Sequence, residues 1–208
     1  MFHVEPPYYI FDYIIFFFSR QGILKDFVEK IRRQDTWEWK TKYDDQMADD
    51  LAQYFNAVGK EKFIDSMLTK IKENPEKKFF FTEDEQEIIM EYKQHIQDVC
   101  QKCYETMKFV GKGNVIFGVG NIPYKYRNEM AEYIRNNNIE IDALALPNYE
   151  TMACSFRSIS EDMDVNEFAM MFGGGGHKGA SSAPISKELC EALKLSLPQE
   201  LINDEPNC

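Results

Sequence analysis

Residues 173–182 read GGGGHKGASS, and the second half of the chain turns on how this stretch is understood. Successive glycines are poor formers of helix and strand and lose more conformational freedom on folding than other residues, so a run of them needs a compensating reason. Close approach of the backbone to a ligand is one, because main-chain amides in such a turn make a concavity suited to phosphate or carboxylate. A flexible hinge is the plain alternative. His177 and Lys178 follow at once and add an imidazole and a positive charge beside those donors.

Upstream, Asp164 is placed to cap a short helix, DVNEFAMMF, that the glycines stop. Before it, residues 152–159 (MACSFRSI) read as a strand carrying Ser155, Arg157 and Ser158. An arginine on an otherwise apolar strand is costly unless it reaches a partner, and its planar fork suits bidentate contact with phosphate. Strand arginine and glycine segment together suggest an anion pocket. The competing reading of Arg157 is an ion pair with Glu161, Asp162 or Asp164. Working further back, residues 139–146 (IEIDALAL) alternate as a strand, residues 124–136 form a helix ended by asparagines, and residues 115–119 (VIFGV) form a short buried strand after a GKGN turn.

The first half reads differently. Apolar residues at Ile23, Leu24, Phe27, Val28 and Ile31 recur at helical spacing, and further helices are expected over 45–55 and 60–71. Between them, QDTWEWK places Trp37 and Trp39 two apart, on one face if the segment is extended. After the turn ENPEKK, Thr82 and Glu85 make a capping box for a helix whose stripe (Ile88, Tyr92, Ile96, Val99, Cys103, Val110) runs for about 25 residues, the longest in the chain. A helix of that length acts as a connector. The fold expected is α+β: a mostly helical region with its connector over 1–110, then an α/β domain over 111–208.

The SFRS strand, the short helix and GGGGHKGASS, in that order over residues 113–184, resemble the C-terminal DHHA1 domain of the DHH phosphoesterases. That family includes nanoRNA-degrading enzymes, single-strand exonucleases and cyclic-dinucleotide phosphodiesterases. The resemblance implies a DHHA1-like α/β domain. It also implies substrate-binding roles at Ser155, Arg157, Ser158, Gly174, Gly175, Gly176, His177 and Lys178, toward the terminal phosphate and nucleotide of the substrate. IRRQDTWEWK is similar to a D-x-W segment of the family's catalytic half, which makes Asp35 the candidate metal ligand. The family holds two manganese ions through HxD, a further aspartate and the DHH triplet; ahead of Asp35 no DHH, HxD or DxD occurs, and His3 is the only histidine there. One carboxylate cannot hold two metals. The expectation is a chain that begins after its catalytic core.

Composition narrows the partners. Among 208 residues, 24 are Lys or Arg and 35 are Asp or Glu, a formal net charge of −11 that repels long polyanions, so any phosphate site is local. Five cysteines without regular spacing argue against a secreted disulfide framework and for the cytoplasm. The apolar run at residues 8–18 is too short to span a membrane and contains Asp12, and it reads as a buried strand or helix or as a sticky leader. Residues beyond 198 read as a frayed tail. Cys100 and Cys103 (CQKC) lack a second ligand pair for zinc and read as core-facing or solvent-edge residues, with His95 on the same helix partly exposed and inert. Asp44, Asp45, Asp49 and Asp50 could attract a cation or form a solvated face.

The function expected is a DHHA1-type protein that binds short oligonucleotides or nucleotide phosphates and is not catalytic alone. The alternative is a manganese-dependent phosphoesterase of the DHH family, completed by a partner chain or unrecognised ligands, and the protein partners expected are a separate catalytic chain or a homo-oligomer. No membrane partner is expected.

Overall fold

A computed structural model describes residues 22–36 and 38–198. The apolar run at 8–18, Trp37 and the tail beyond 198 lie outside the described residues. The chain divides into two compact units, with the division between Gln94 and His95. Among the described residues no helix is long and apolar enough to cross a membrane.

The first unit is helical. Its elements are α1 (Gly22–Asp35), a π-helical turn (Trp39–Tyr43), α2 (Gln46–Val58), α3 (Lys60–Glu73) and the opening turns of α4 (Glu83–Glu105). The apolar stripes converge on a core of Ile23, Leu51, Tyr54, Met67, Phe79, Phe81 and Ile89. Trp39 starts a helical turn, and the expected extended pairing with Trp37 involves a residue outside the described ones. The capping box is present: the Thr82 amide donates to Glu85 Oε2 at 2.8 Å, and the Glu85 amide donates to Thr82 Oγ1 at 3.3 Å. Glu85 is buried and also accepts from Lys70 and Ser66.

α4 ends at Glu105, earlier than its apolar spacing suggested. Val110 belongs instead to β1 (Lys108–Lys112), which pairs antiparallel with β2 (Val115–Val119) and sets Val110 opposite Phe117 in the core. Strand pairing outweighs the continued helical spacing, since it satisfies the backbone and buries the same valine. After a 3-10 turn (Tyr124–Tyr126) come α5 (Arg127–Asn136), β3 (Ala143–Asn148), β4 (Ala153–Ser158), α6 (Val165–Met170), β5 (Gly175–His177), β6 (Ala180–Pro184) and α7 (Lys187–Leu193). β3 starts later than the alternation at 139–146 implied, because Asp142 turns aside to accept the Ile116 amide at 2.7 Å.

The six strands form one sheet in the order β1-β2-β3-β4-β6-β5, with β2 and β3 parallel and every other pair antiparallel. One face packs Phe117, Ala145 and Phe156 against Phe168 of α6 and Leu189 and Leu193 of α7. Burying each large apolar side chain there contributes about 1.5–3 kcal/mol. On the other face, Gly118 and Gly120 clear room for the end of α4 and the residues just after it: a Cβ at Gly118 would stand 2.7 Å from Met107 Sδ, and one at Gly120 2.7 Å from Cys103 Sγ.

Candidate functional site

The register places the candidate side chains. Arg157 on β4 is directly opposite Ala180 on β6, and Ala180 is directly opposite His177 on β5. Residues paired across strands point to the same face, so Arg157 and His177 share one cross-strand row with a single methyl group between them. Two inter-strand spacings of about 4.8 Å put their backbones about 10 Å apart. The next row on this face is Ser155, Ser182 and Gly175. The result is a shallow shelf of small residues with a guanidinium at one side and an imidazole at the sheet edge.

Arg157 reaches this position because β4 alternates: Phe156 enters the core beside Phe168, and Arg157 turns to the opposite face, where α5 begins. Its Nε donates to Asn128 Oδ1 at 2.9 Å, and a terminal nitrogen donates to the Phe156 carbonyl at 2.8 Å. None of the ion pairs among the described residues involves Arg157, so the alternative of Glu161, Asp162 or Asp164 as its partner is not what forms. Burial, with Arg127 close by, lowers the Arg157 guanidinium from its usual value. An arginine half-buried, held by a neutral amide and beside another arginine, is short of an anion.

The glycines divide into different roles. Gly173 has φ +73 and stops α6, its amide donating to Met170 O at 3.2 Å, while the Gly174 amide donates to Ala169 O at 2.9 Å. A Cβ on Gly174 would lie 2.1 Å from Ser182 O, and one on Gly176 2.6 Å from Ala180 O. The close approach inferred from the glycine run is therefore, at these two positions, approach to β6. The expected open loop is strand β5, because pairing with β6 offsets the poor strand propensity of glycine. Gly175 stands apart: its φ is not positive, and an added Cβ would meet only Asn166 Oδ1 at 3.9 Å.

The remaining candidates are placed as follows. Ser155 is buried on the Arg157 face. Ser158 is buried one residue further along β4, its hydroxyl donating to Ser160 O at 2.6 Å and its carbonyl accepting from Arg135. Lys178 lies exposed in the β5–β6 connection. Asp35 is exposed at the end of α1, and among the described residues no three His, Cys, Asp or Glu side chains gather as metal ligands. These residues do not fit a manganese centre. Three of the four clustered acids meet cations of the protein itself: Asp45 meets Lys30 at 3.3 Å and Arg33 at 2.8 Å, and Lys93 bridges Asp49 and Asp50. Cys100 and Cys103 are buried free thiols, which burial pushes up to about 12 and about 11.

Sequence reasoning missed Asn128, Ala180, Arg127 and Tyr124. The run NIPYKYRN at 121–128, aromatic and basic residues interleaved, was the available signal for the last two.

No family model matches the chain. It is 27% identical over 175 residues, 84% of its length, to the oligoribonuclease NrnB of Bacillus subtilis (strain 168), of which it spans 43%. That similarity supports the resemblance to the DHH-family phosphoesterases that the SFRS and GGGGHKGASS segments carry. The chain is similar to a DHH-family phosphoesterase. Solved structures similar to this DHH-family relative include a pGpG-specific phosphodiesterase, PggH, from Vibrio cholerae (12% identity, TM-score 0.43, 74% of this chain and 55% of that one). Another is the DHH domain of a member of a family of ribosomal proteins (17% identity, TM-score 0.47, 72% of this chain and 42% of that one).

Proposed function

We propose that this DHH-family relative binds short oligonucleotides or nucleotide phosphates on the shelf between Arg157 and His177, as a substrate-binding part that does not cleave by itself. The row Arg157–Ala180–His177 carries this reading. A terminal phosphate seated over Ala180 would accept from the guanidinium on one side and from the imidazole on the other. The bare Gly175 backbone leaves space for the ligand to come close. A net charge of −11 favours small phosphorylated ligands over long strands. No catalytic step is assigned, since Asp35 is exposed and among the described residues no three His, Cys, Asp or Glu side chains gather as metal ligands.

The test is calorimetry of a 5′-phosphorylated dinucleotide with the purified chain and Arg157→Ala, alongside hydrolysis assays with and without Mn²⁺. Binding that is lost in the variant, without cleavage, supports the reading. Unchanged affinity in the variant removes Arg157 from the site, and metal-dependent cleavage makes the chain an enzyme.

A further inference from the structure

Outside this shelf, an open depression of about 540 Å³ lies at the carboxyl ends of β2 and β3. Its walls include Asn121, Pro123 and Tyr124 from the connection leaving β2, and Pro147 and Asn148 at the end of β3 with Tyr149 just beyond it. β2 and β3 are the parallel pair of the sheet, and connections leaving the same end of parallel strands open a crevice there, a common seat for ligands.

The crevice has an aromatic platform. Tyr124 is 55% exposed, yet its ring is fixed: the Arg127 guanidinium lies 3.7 Å from the ring centroid, and an Arg127 terminal nitrogen donates to the Tyr124 carbonyl at 2.8 Å. One face of the ring is covered by a cation. A large aromatic held still at the surface, with amide side chains around it, suits a flat π system better than a flexible alkyl chain. Tyr149, 38% exposed, stands on the other connection.

The platform is tied to the phosphate shelf through the start of α5. Asn128, the residue after Arg127, accepts the hydrogen bond from Arg157, and Arg127 is near enough to lower the Arg157 guanidinium. Among the described residues neither arginine is in an ion pair with a carboxylate.

From this juxtaposition we infer that the Tyr124–Tyr149 crevice is a nucleobase subsite, in which a base stacks on Tyr124 while Arg127 and Arg157 share the charge of the adjoining phosphate. The inference rests on the proposed phosphate-binding role of Arg157 and extends it: the ligand is a nucleotide whose base is engaged, and a bare phosphate is insufficient. Stacking accepts any base, so the site discriminates weakly by sequence.

The test compares the 5′-phosphorylated dinucleotide pApA with its doubly abasic analogue, by calorimetry with competition for the weaker ligand. Tyr124→Ala should weaken pApA binding by about tenfold, within the range for loss of one base–aromatic stack, while Tyr124→Phe stays close to the parent. The abasic ligand should bind the parent and Tyr124→Ala alike. Cross-linking with a 5-iodouridine dinucleotide should label a peptide containing Tyr124 or Tyr149. Unchanged pApA affinity in Tyr124→Ala, with binding lost in Arg157→Ala, overturns the base subsite and leaves the phosphate site standing. Labelling confined to the exposed Met170–Met171 pair beside the glycine segment also overturns it. Failure of the parent chain to bind either ligand removes the phosphate reading and this inference with it.

Discussion

Arg157 and His177 occupy one cross-strand row of the sheet, each paired in register with Ala180, so two side chains separated by twenty residues of chain face the same shelf. Neither the helix α6 nor the glycine run between them sits in that row. Because the relationship is made by backbone pairing, it is as rigid as the sheet, and small changes at the central residue should be felt by whatever binds across it.

Ala180→Leu should therefore abolish binding of a phosphorylated dinucleotide while leaving the fold intact, since Ala180 is only partly buried and its methyl group points onto the shelf. Calorimetry against thermal unfolding separates the two effects. Retained affinity in a folded Ala180→Leu chain would place the ligand elsewhere.

Asn128 tests the positioning of Arg157. Asn128→Ala removes one hydrogen bond from the guanidinium, a loss of about 0.5–1.5 kcal/mol in binding if orientation matters. Asn128→Asp should weaken binding further, because a carboxylate at the same atom position competes with the ligand's phosphate. The two dissociation constants, compared with that of the parent, decide it; equal values for all three chains would show that the contact is incidental.

The glycines should separate in stability. Gly174→Ala drives a methyl group into Ser182 O and Ala183 and should cost about 1–3 kcal/mol, as overpacking commonly does. Gly175→Ala makes only an ordinary contact with Asn166 Oδ1 at 3.9 Å and should leave the unfolding midpoint almost unchanged while reducing ligand affinity. Equal stability losses at both positions would contradict the assigned roles.

A pH dependence is expected from Glu85. Burial opposes its charge, but Lys70, Ser66 and the Thr82 amide overcome that and hold the carboxyl below its ordinary value of 4.5. A carboxyl lowered in the folded state stabilises fully above its unfolded value, and that contribution fades as pH falls through the folded one. Denaturant midpoints across the acid range should fall less steeply for Glu85→Gln than for the parent chain. Lys70→Ala, which leaves the carboxylate buried without its cation, should cost about 3–5 kcal/mol at neutral pH.

Local patterns made much of this legible in advance. Thr82 with Glu85, and Asp164 ahead of its helix, are capping signals that act within a few residues, and Asp164 does accept from the Asn166 and Glu167 amides. The strand character of SFRS and the helix stop at the glycines are equally local. What failed was local preference set against pairing. Val110 continued a helical stripe yet entered β1, and Gly175–His177 had the composition of a loop yet became β5, because in both cases a neighbouring strand offered hydrogen bonds that the chain by itself could not anticipate.

The sequence alone determined which chemistries were at hand: an arginine on a strand, a histidine after glycines, an acidic chain without a metal-ligand set ahead of Asp35, and the family those motifs indicate. Only the tertiary structure decided the register that puts Ala180 between Arg157 and His177, the choice of Asn128 and not an acid as the arginine's partner, and the use of Gly174 and Gly176 against β6. The reason is that composition and periodicity are read along the chain, whereas a binding surface on a sheet is laid out across it, and its spacing is set by strand pairings between residues distant in sequence.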